Sequence, residues 1–517
     1  MLLFAAVALL TGFSFAAFDG LEAFLPGAGV YLSATGLCFL LAILIGWRHR
    51  EEDFPRWLIP ALLGALVLRL LLALLLYRGL PILGYDTNIQ NAGYVFADAF
   101  ARDGDAWELV ASGQSIAEIL RQGGGNDQYG GLLIFSALFY KLVSPAMHRP
   151  LSIAIFAAFF STLSIYFSWR FTYSIFGKRA AGAAFLVMAL YPDAILLGAS
   201  QMREPFLMAG LATAFFGYTR FREGGWAPAL LPLLGGVLLL IPFSPPMAVL
   251  GLLVLGGVWV LDPRHHGRLP RWALIGGVFV VAALMYVTVK AWSSISGSPN
   301  SNPFQLAWWW LTEGARYQMV ILEQRSGVVQ AMFDYTPEWS HAILATVYGL
   351  VQPFFPAAVM DTTSPPIWRV ISIWRAAGWF LLLPGLLYAP LAALRSKGWR
   401  HLAFYFAVVG WLLAAFVSYR AAGDQWDNPR YRATFLLVYA VVTGWSWAWA
   451  RDTGTRWLRH TAAVVAGITV LFLQWYAGRY LYWPSLELFP TLALVVLFVP
   501  GYLVLAWLWE RRQMRQG

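Results

Sequence analysis

The sequence predicts an all-α, polytopic integral membrane protein that crosses the bilayer about fourteen times. Three observations predict it. Hydrophobic residues make up 59% of the chain and charged residues only 12%, about half the charged share of a soluble domain. Mean hydropathy is +0.62. Apolar stretches close to the length that hydrocarbon demands recur along the whole chain. The 26 Trp suit aromatic belts at the two membrane interfaces.

The expected spans fall at 2–18, 29–47, 57–79, 150–169, 180–199, 205–219, 228–243, 246–261, 272–290, 370–391, 402–419, 434–450, 461–480 and 487–509. The first resembles a signal peptide but has no basic residues before its apolar run. It is read as a retained helix. With the N-terminus in the cytoplasm and sides alternating, the short loops on that side hold 20 of the 36 Lys and Arg but 7 of the 26 Asp and Glu. That asymmetry follows the positive-inside rule and places both termini in the cytoplasm. It also explains the net charge of +10 without nucleic acid, since no basic run or basic domain exists. The single cysteine, Cys38, excludes an intramolecular disulfide and a cysteine-based zinc site.

Residues 1–517 therefore read as one transmembrane domain with two long extracytoplasmic loops, 80–149 and 291–369. Loops of this length usually carry function. Segments 94–121 and 129–143 read as helices lying at the surface. Segment 341–359 reads as a re-entrant or surface helix, because Pro353 and Pro356 interrupt it.

Three polar clusters carry candidate chemistry. Asp86 follows the third span, with Tyr85, Asn88, Gln90 and Asn91 around it. It reads either as a general base toward an acceptor hydroxyl or as a helix cap. Arg203 and Glu204 sit at the outer turn between two spans, where charges face the bundle rather than lipid. They read as a phosphate ligand and an assisting or metal-binding carboxylate, or as an ion pair anchoring the turn. Arg430, Tyr431 and Arg432 stand beside Asp424 and Asp427. They read as a phosphate clamp or as interfacial anchors. Arg69 interrupts the third span and must snorkel or pair inside the protein. Tyr129 belongs to a turn or a substrate groove, and His148 and His341 are isolated histidines. Glu313, Arg316, Glu323 and Arg325 are spaced as a solvated helix face. Walker, HExxH and GxSxG motifs are absent.

In chain order, these features resemble the GT-C superfamily of membrane glycosyltransferases. The resemblance is carried by Tyr85-Asp86, the loop with Tyr94 and Ala97, and QYGGLLIFSALFYKL (128–142), which looks like the family's juxtamembrane helix. Residues 149–205, ending on Glu204, and NPRYR (428–432) continue it. The departures are Gly130-Gly131 where paired prolines are usual, no second acid beside Asp86, and two extra leading spans. QPFFP (352–356) resembles a Pro-Phe-Pro segment of bacterial polysaccharide-assembly proteins.

The resemblance implies sugar transfer from a polyprenyl-phosphate donor to a lipid, glycan or protein acceptor, on the outer face of a bacterial inner membrane. Asp86 is then the catalytic base and Glu204 its companion, with a divalent cation (Mg or Mn) on both if one is used. Arg203, Arg430 and Arg432 hold the donor phosphate. Tyr85, Asn88, Asn91, Tyr129 and Tyr431 line the groove. Two other functions compete: a polysaccharide or O-antigen polymerase acting on polyprenyl diphosphates, and a lipid or glycan transporter.

Overall fold

The computed structural model describes residues 2–20, 22–48, 54–126, 130–262, 286, 302–325, 327–397, 402–421, 424 and 426–516. Helices account for all of its regular structure among these residues. The span expected at 272–290 lies outside them apart from Tyr286, as does Tyr129.

The chain opens with an apolar hairpin, α1 (Leu2–Ala17) and α2 (Phe24–Arg48), followed by α3 (Leu58–Leu83). The first long loop then folds into four helices: α4 (Asn88–Asn91), α5 (Ala97–Ala111), α6 (Ile116–Asn126) and α7 (Gly131–Val143). Both stretches expected as surface helices are helical.

Next comes α8, continuous over Leu151–Leu190 except at Gly177, whose φ of 83° and ψ of 178° are not helical. A left-handed φ favours glycine, which has no Cβ to clash. Arg69 of α3 reveals the geometry of this break. Its Nε donates to Ser161 Oγ at 2.8 Å, and its other nitrogens donate to the carbonyls of Met188 at 3.2 Å and Ala189 at 3.3 Å. On a straight helix Ser161 and Met188 would stand about 40 Å apart. One guanidinium touches both, so α8 is folded back on itself at Gly177. Its halves cover the span expected at 150–169 and the first part of that expected at 180–199, the remainder of which lies beyond Tyr191 in a separate short helix.

The chain continues through α9 (Pro192–Gly198), α10 (Glu204–Gly224), α11 (Trp226–Leu240) and α12 (Pro245–Leu261). Beyond the undescribed stretch, α13 (Pro303–Arg325), α14 (Gly327–Asp334) and α15 (Glu338–Val351) build the second long loop. The last elements are α16 (Pro366–Lys397), α17 (Leu402–Arg420), α18 (Asp427–Thr434), α19 (Leu436–Asp452), α20 (Trp457–Leu481) and α21 (Leu488–Gln516).

The sequence predicts about fourteen spans along the whole chain. Among the described residues, seven helices are long and apolar enough to cross a membrane, or eight if α18 and α19, bent by 73°, form one broken span. Several expected spans fall outside that count. The hairpin α8 counts once, α1, α11 and α12 are apolar but only 15 to 17 residues long, α10 is long enough but less apolar, and 272–290 lies outside the described residues apart from Tyr286.

The core lies where α8, α10 and α19 meet. Small residues set the closest approaches. A Cβ on Gly236 of α11 would lie 2.7 Å from the Gly210 carbonyl of α10. One on Gly444 of α19 would lie 2.5 Å from the Ala180 carbonyl of α8. Without a hydrophobic drive between helices in lipid, such close backbone packing supplies much of the association energy.

Arg69 is fully buried, and its partners are a hydroxyl and backbone carbonyls rather than an acid. Replacing it with leucine strands two buried carbonyls. Arg69→Leu is expected to destabilise the protein by about 2–5 kcal/mol, read as a lowered unfolding midpoint in mixed micelles. A midpoint equal to the wild type would refute this account of the hairpin.

Candidate functional site

Polar side chains from both long loops gather at the end of the bundle where α3 and α8 meet the first loop. Three helices begin there with an acid in the first turn: Asp98 on α5, Glu204 on α10 and Asp427 on α18. A helix N-terminus carries partial positive charge and stabilises a nearby carboxylate. Pro205 suits the start of α10, since a first-turn N–H has no partner within the helix.

All three acids converge on Arg430. Its Nη2 donates to Asp98 Oδ2 at 2.9 Å, its Nη2 lies 3.3 Å from Asp427 Oδ1, and its Nε lies 3.4 Å from Glu204 Oε1. Arg430 also donates to the Tyr431 hydroxyl at 3.0 Å, and its guanidinium lies 4.8 Å from the Tyr431 ring centroid and 5.7 Å from that of Phe96. Burial separates the acids. Glu204 is 1% exposed and Asp98 is 50% exposed. Both Glu204 oxygens lack a hydrogen bond among the described residues. Burial pushes the Asp98 carboxyl up, but Arg430, Arg102 and Arg203 outweigh it and hold the group below the ordinary carboxylate range. Arg203, also buried, immediately precedes Glu204 at the start of α10.

A second network supports the first. Asp193, in the first turn of α9, pairs with Arg375 of α16 at 2.7 Å, and both are buried. Arg375 donates to the Trp426 carbonyl at 3.2 Å and lies over the Trp426 ring. Trp426 meets Trp368 edge-on at 4.8 Å. Trp368 in turn donates to Gln90 Oε1 at 2.9 Å. Two aromatic rings thus link the Asp86 segment to the Arg430 cluster.

Asp86 itself is exposed and accepts one hydrogen bond, from Asn91 Nδ2 at 2.9 Å. Thr87, not Asp86, caps α4, by accepting from Gln90 N. Tyr85 stacks on Trp368, and its hydroxyl lies 2.9 Å from Ser364 Oγ in the second long loop. Asn88 is exposed. Asp86 and Glu204 sit in separate networks, and no metal-binding group of three or more His, Cys, Asp or Glu exists among the described residues. The surroundings of Glu204 do not fit a divalent cation, because Arg430 already presents positive charge to it at 3.4 Å.

Arg432 points elsewhere. It is buried, lies 3.9 Å from the Trp379 ring centroid, and donates to the carbonyls of Leu350 and Gln352. Its donors serve the proline-rich turn after α15. His148 is paired, its Nε2 lying 2.9 Å from Asp103 Oδ2. Asp103 also accepts from the hydroxyls of Tyr94 at 2.6 Å and Tyr140 at 2.7 Å, which fastens α5 to α7. Burial and Asp103 push the Tyr94 hydroxyl well above its usual range, so it stays a donor. His341 stacks on Phe333 within the second loop.

No protein-family model matches the chain, and no curated protein matches it. The fold is similar to the apo oligosaccharyltransferase of Archaeoglobus fulgidus, at 15% identity and a TM-score of 0.39, over 85% of this chain and 56% of that one. It is also similar to the oligosaccharyltransferase AglB of the same organism, solved with an inhibitory peptide and a dolichol-phosphate. There the identity is 14% and the TM-score 0.40, over 86% of this chain and 54% of that one. The chain spans little more than half the length of either structure. Both are oligosaccharyltransferases.

Asp98, Asp103, Asp193 and Arg375 escaped sequence reasoning. Asp193 and Glu204 did leave a signal, since each sits beside a proline at a helix start (Pro192-Asp193, Glu204-Pro205). Asp98 and Asp103 lie in a run of mixed periodicity that hides which face is buried.

Breaking a buried ion pair from one side costs more than removing both partners. Arg430→Met is therefore expected to destabilise the protein by about 3–5 kcal/mol, and Arg430→Met with Glu204→Leu by less. Unfolding midpoints of the two variants check this. Additive losses would contradict direct coupling.

Proposed function

We propose that this chain is a membrane glycosyltransferase. It moves a sugar from a polyprenyl-phosphate donor to an acceptor at the outer face of a bacterial inner membrane. The observation that carries the reading is the meeting of Glu204 and Arg430 with Asp98. Segments from three distant parts of the chain, two of them singled out by the family resemblance, supply one cluster beside the first loop.

The chemistry follows from the groups present. Asp86 takes the proton of an acceptor hydroxyl as its oxygen attacks the sugar's anomeric carbon. The bond from that carbon to the donor phosphate breaks, and its electron pair leaves on the phosphate oxygen. Arg430 and Arg203 face that developing charge, and preorganised cations act most strongly on charge that grows in the transition state. Three helix N-termini add partial positive charge, as in other phosphate sites. Glu204 and Asp427 hold Arg430 in place. Tyr85, Asn88, Asn91 and Tyr431 line the path to the acceptor, and apolar surface between spans takes the prenyl tail. Arg432 acts at a distance, by fixing the turn after α15.

Purified protein incubated with synthetic polyprenyl-phosphate sugars and a panel of acceptors tests the proposal. Asp86→Asn is expected to lower kcat by about 10²–10⁴-fold. Arg430→Gln is expected to lower kcat/KM by about 10²–10³-fold. Full activity of Asp86→Asn removes it as the base. Activity on polyprenyl diphosphates alone would favour a polymerase.

A further inference from the structure

Asp98 differs from the other two acids on Arg430. Glu204 begins α10, whose residues are buried as far as Thr219, and Asp427 begins α18, the same short helix that carries Arg430. Asp98 alone arrives from the first long loop, and it alone is half in solvent while its partner guanidinium is 4% exposed. Arg102, four residues further along α5, and Arg203 also bear on it electrostatically. A carboxylate presents two oxygens and one negative charge in a plane. The non-bridging oxygens of a phosphate ester present the same pattern to a guanidinium.

We infer that Asp98 is a tethered stand-in for phosphate, occupying the donor-phosphate subsite on Arg430 until a phosphate ester displaces it. The inference rests on the donor reading above and adds a specificity device to it. In the unloaded protein Asp98 is the most solvent-exposed of three acids on a buried guanidinium, so an anion arriving from solvent must displace it to reach Arg430. Inorganic phosphate brings nothing to offset the lost ion pair. A polyprenyl phosphate brings its apolar chain, and burial of that chain drives the exchange. The anchoring of α5 fits this. Asp103 holds the helix through Tyr94, Tyr140 and His148, so the exchange requires only rotation of the Asp98 side chain into the solvent it already meets.

The test is equilibrium binding to full-length protein in lipid nanodiscs, with three probes: a radiolabelled polyprenyl phosphate, the matching polyprenol, and inorganic phosphate. Wild type is expected to bind the lipid phosphate and not inorganic phosphate at millimolar concentration. Asp98→Asn, which removes the competing charge, is expected to bind the lipid phosphate about tenfold tighter and to gain inorganic phosphate, the scale of one charge-assisted hydrogen bond. Polyprenol binding stays unchanged. Asp98→Glu keeps the wild-type discrimination. If wild type binds the lipid phosphate but Asp98→Asn binds it equally or more weakly, the stand-in role is wrong while the donor reading survives. Tightening for inorganic phosphate without any for the lipid phosphate also overturns it. If wild type prefers the lipid phosphate no more than polyprenol, the donor reading fails and takes this inference with it. Unfolding midpoints of each variant separate a lost fold from a lost site: a merely structural Asp98 would lower the midpoint and weaken binding together.

Discussion

Hydrocarbon offers a backbone carbonyl no water, so each one needs a donor from the protein. Proline withholds that donor from the residue four positions earlier. In this chain arginine side chains supply what prolines withhold. Arg69 donates to the carbonyl of Met188, whose natural partner four residues on would be Pro192. Arg432 donates to Gln352, four residues before Pro356. Each repair lets the chain break a helix at the end of the bundle where the polar clusters lie. The breaks after α8 and after α15 place α9 and the QPFFP turn, and α9 carries Asp193.

A second regularity builds on the first. Four helices start with an acid that meets an arginine from another segment or, for Asp427, from the same short helix. Helix dipoles favour the acids, and the acids make burial of Arg375 and Arg430 tolerable. Order at this end of the bundle therefore comes from charge, and order in the middle from small-residue packing. The two are joined in α10, which runs from Glu204 to the Gly210–Gly236 contact within two turns.

Most of the framework was legible in the sequence because the bilayer imposes a length and a composition on every crossing. The hairpin at Gly177 was readable from the basic segment 170–179 between two apolar runs. The helices of the first long loop were readable as separate elements because they are too short or too mixed to span. The number of crossings was less legible, since α1, α11 and α12 fall below the usual length. In the site, Glu204, Arg203 and Arg430 were visible as charges that lipid would not accept. Arg432 looked equivalent to Arg430 in sequence, yet two residues along a helix turn a side chain to a different face. One arginine meets carboxylates and the other meets carbonyls. Asp98 and Asp103 were hidden because a loop helix half in water follows no strict period, and only tertiary contact distinguishes its acids.

The bonds of Arg69 also bear on how the protein is made. They reach Ser161, Met188 and Ala189, all synthesised long after α3. An arginine at the middle of a lone helix costs about 2.5–3.5 kcal/mol to insert. During biosynthesis α3 carries that penalty until the second half of α8 emerges and folds back. The nascent chain thus has a built-in reason to keep α3 beside the insertion machinery, or beside water, until residue 189 has been translated.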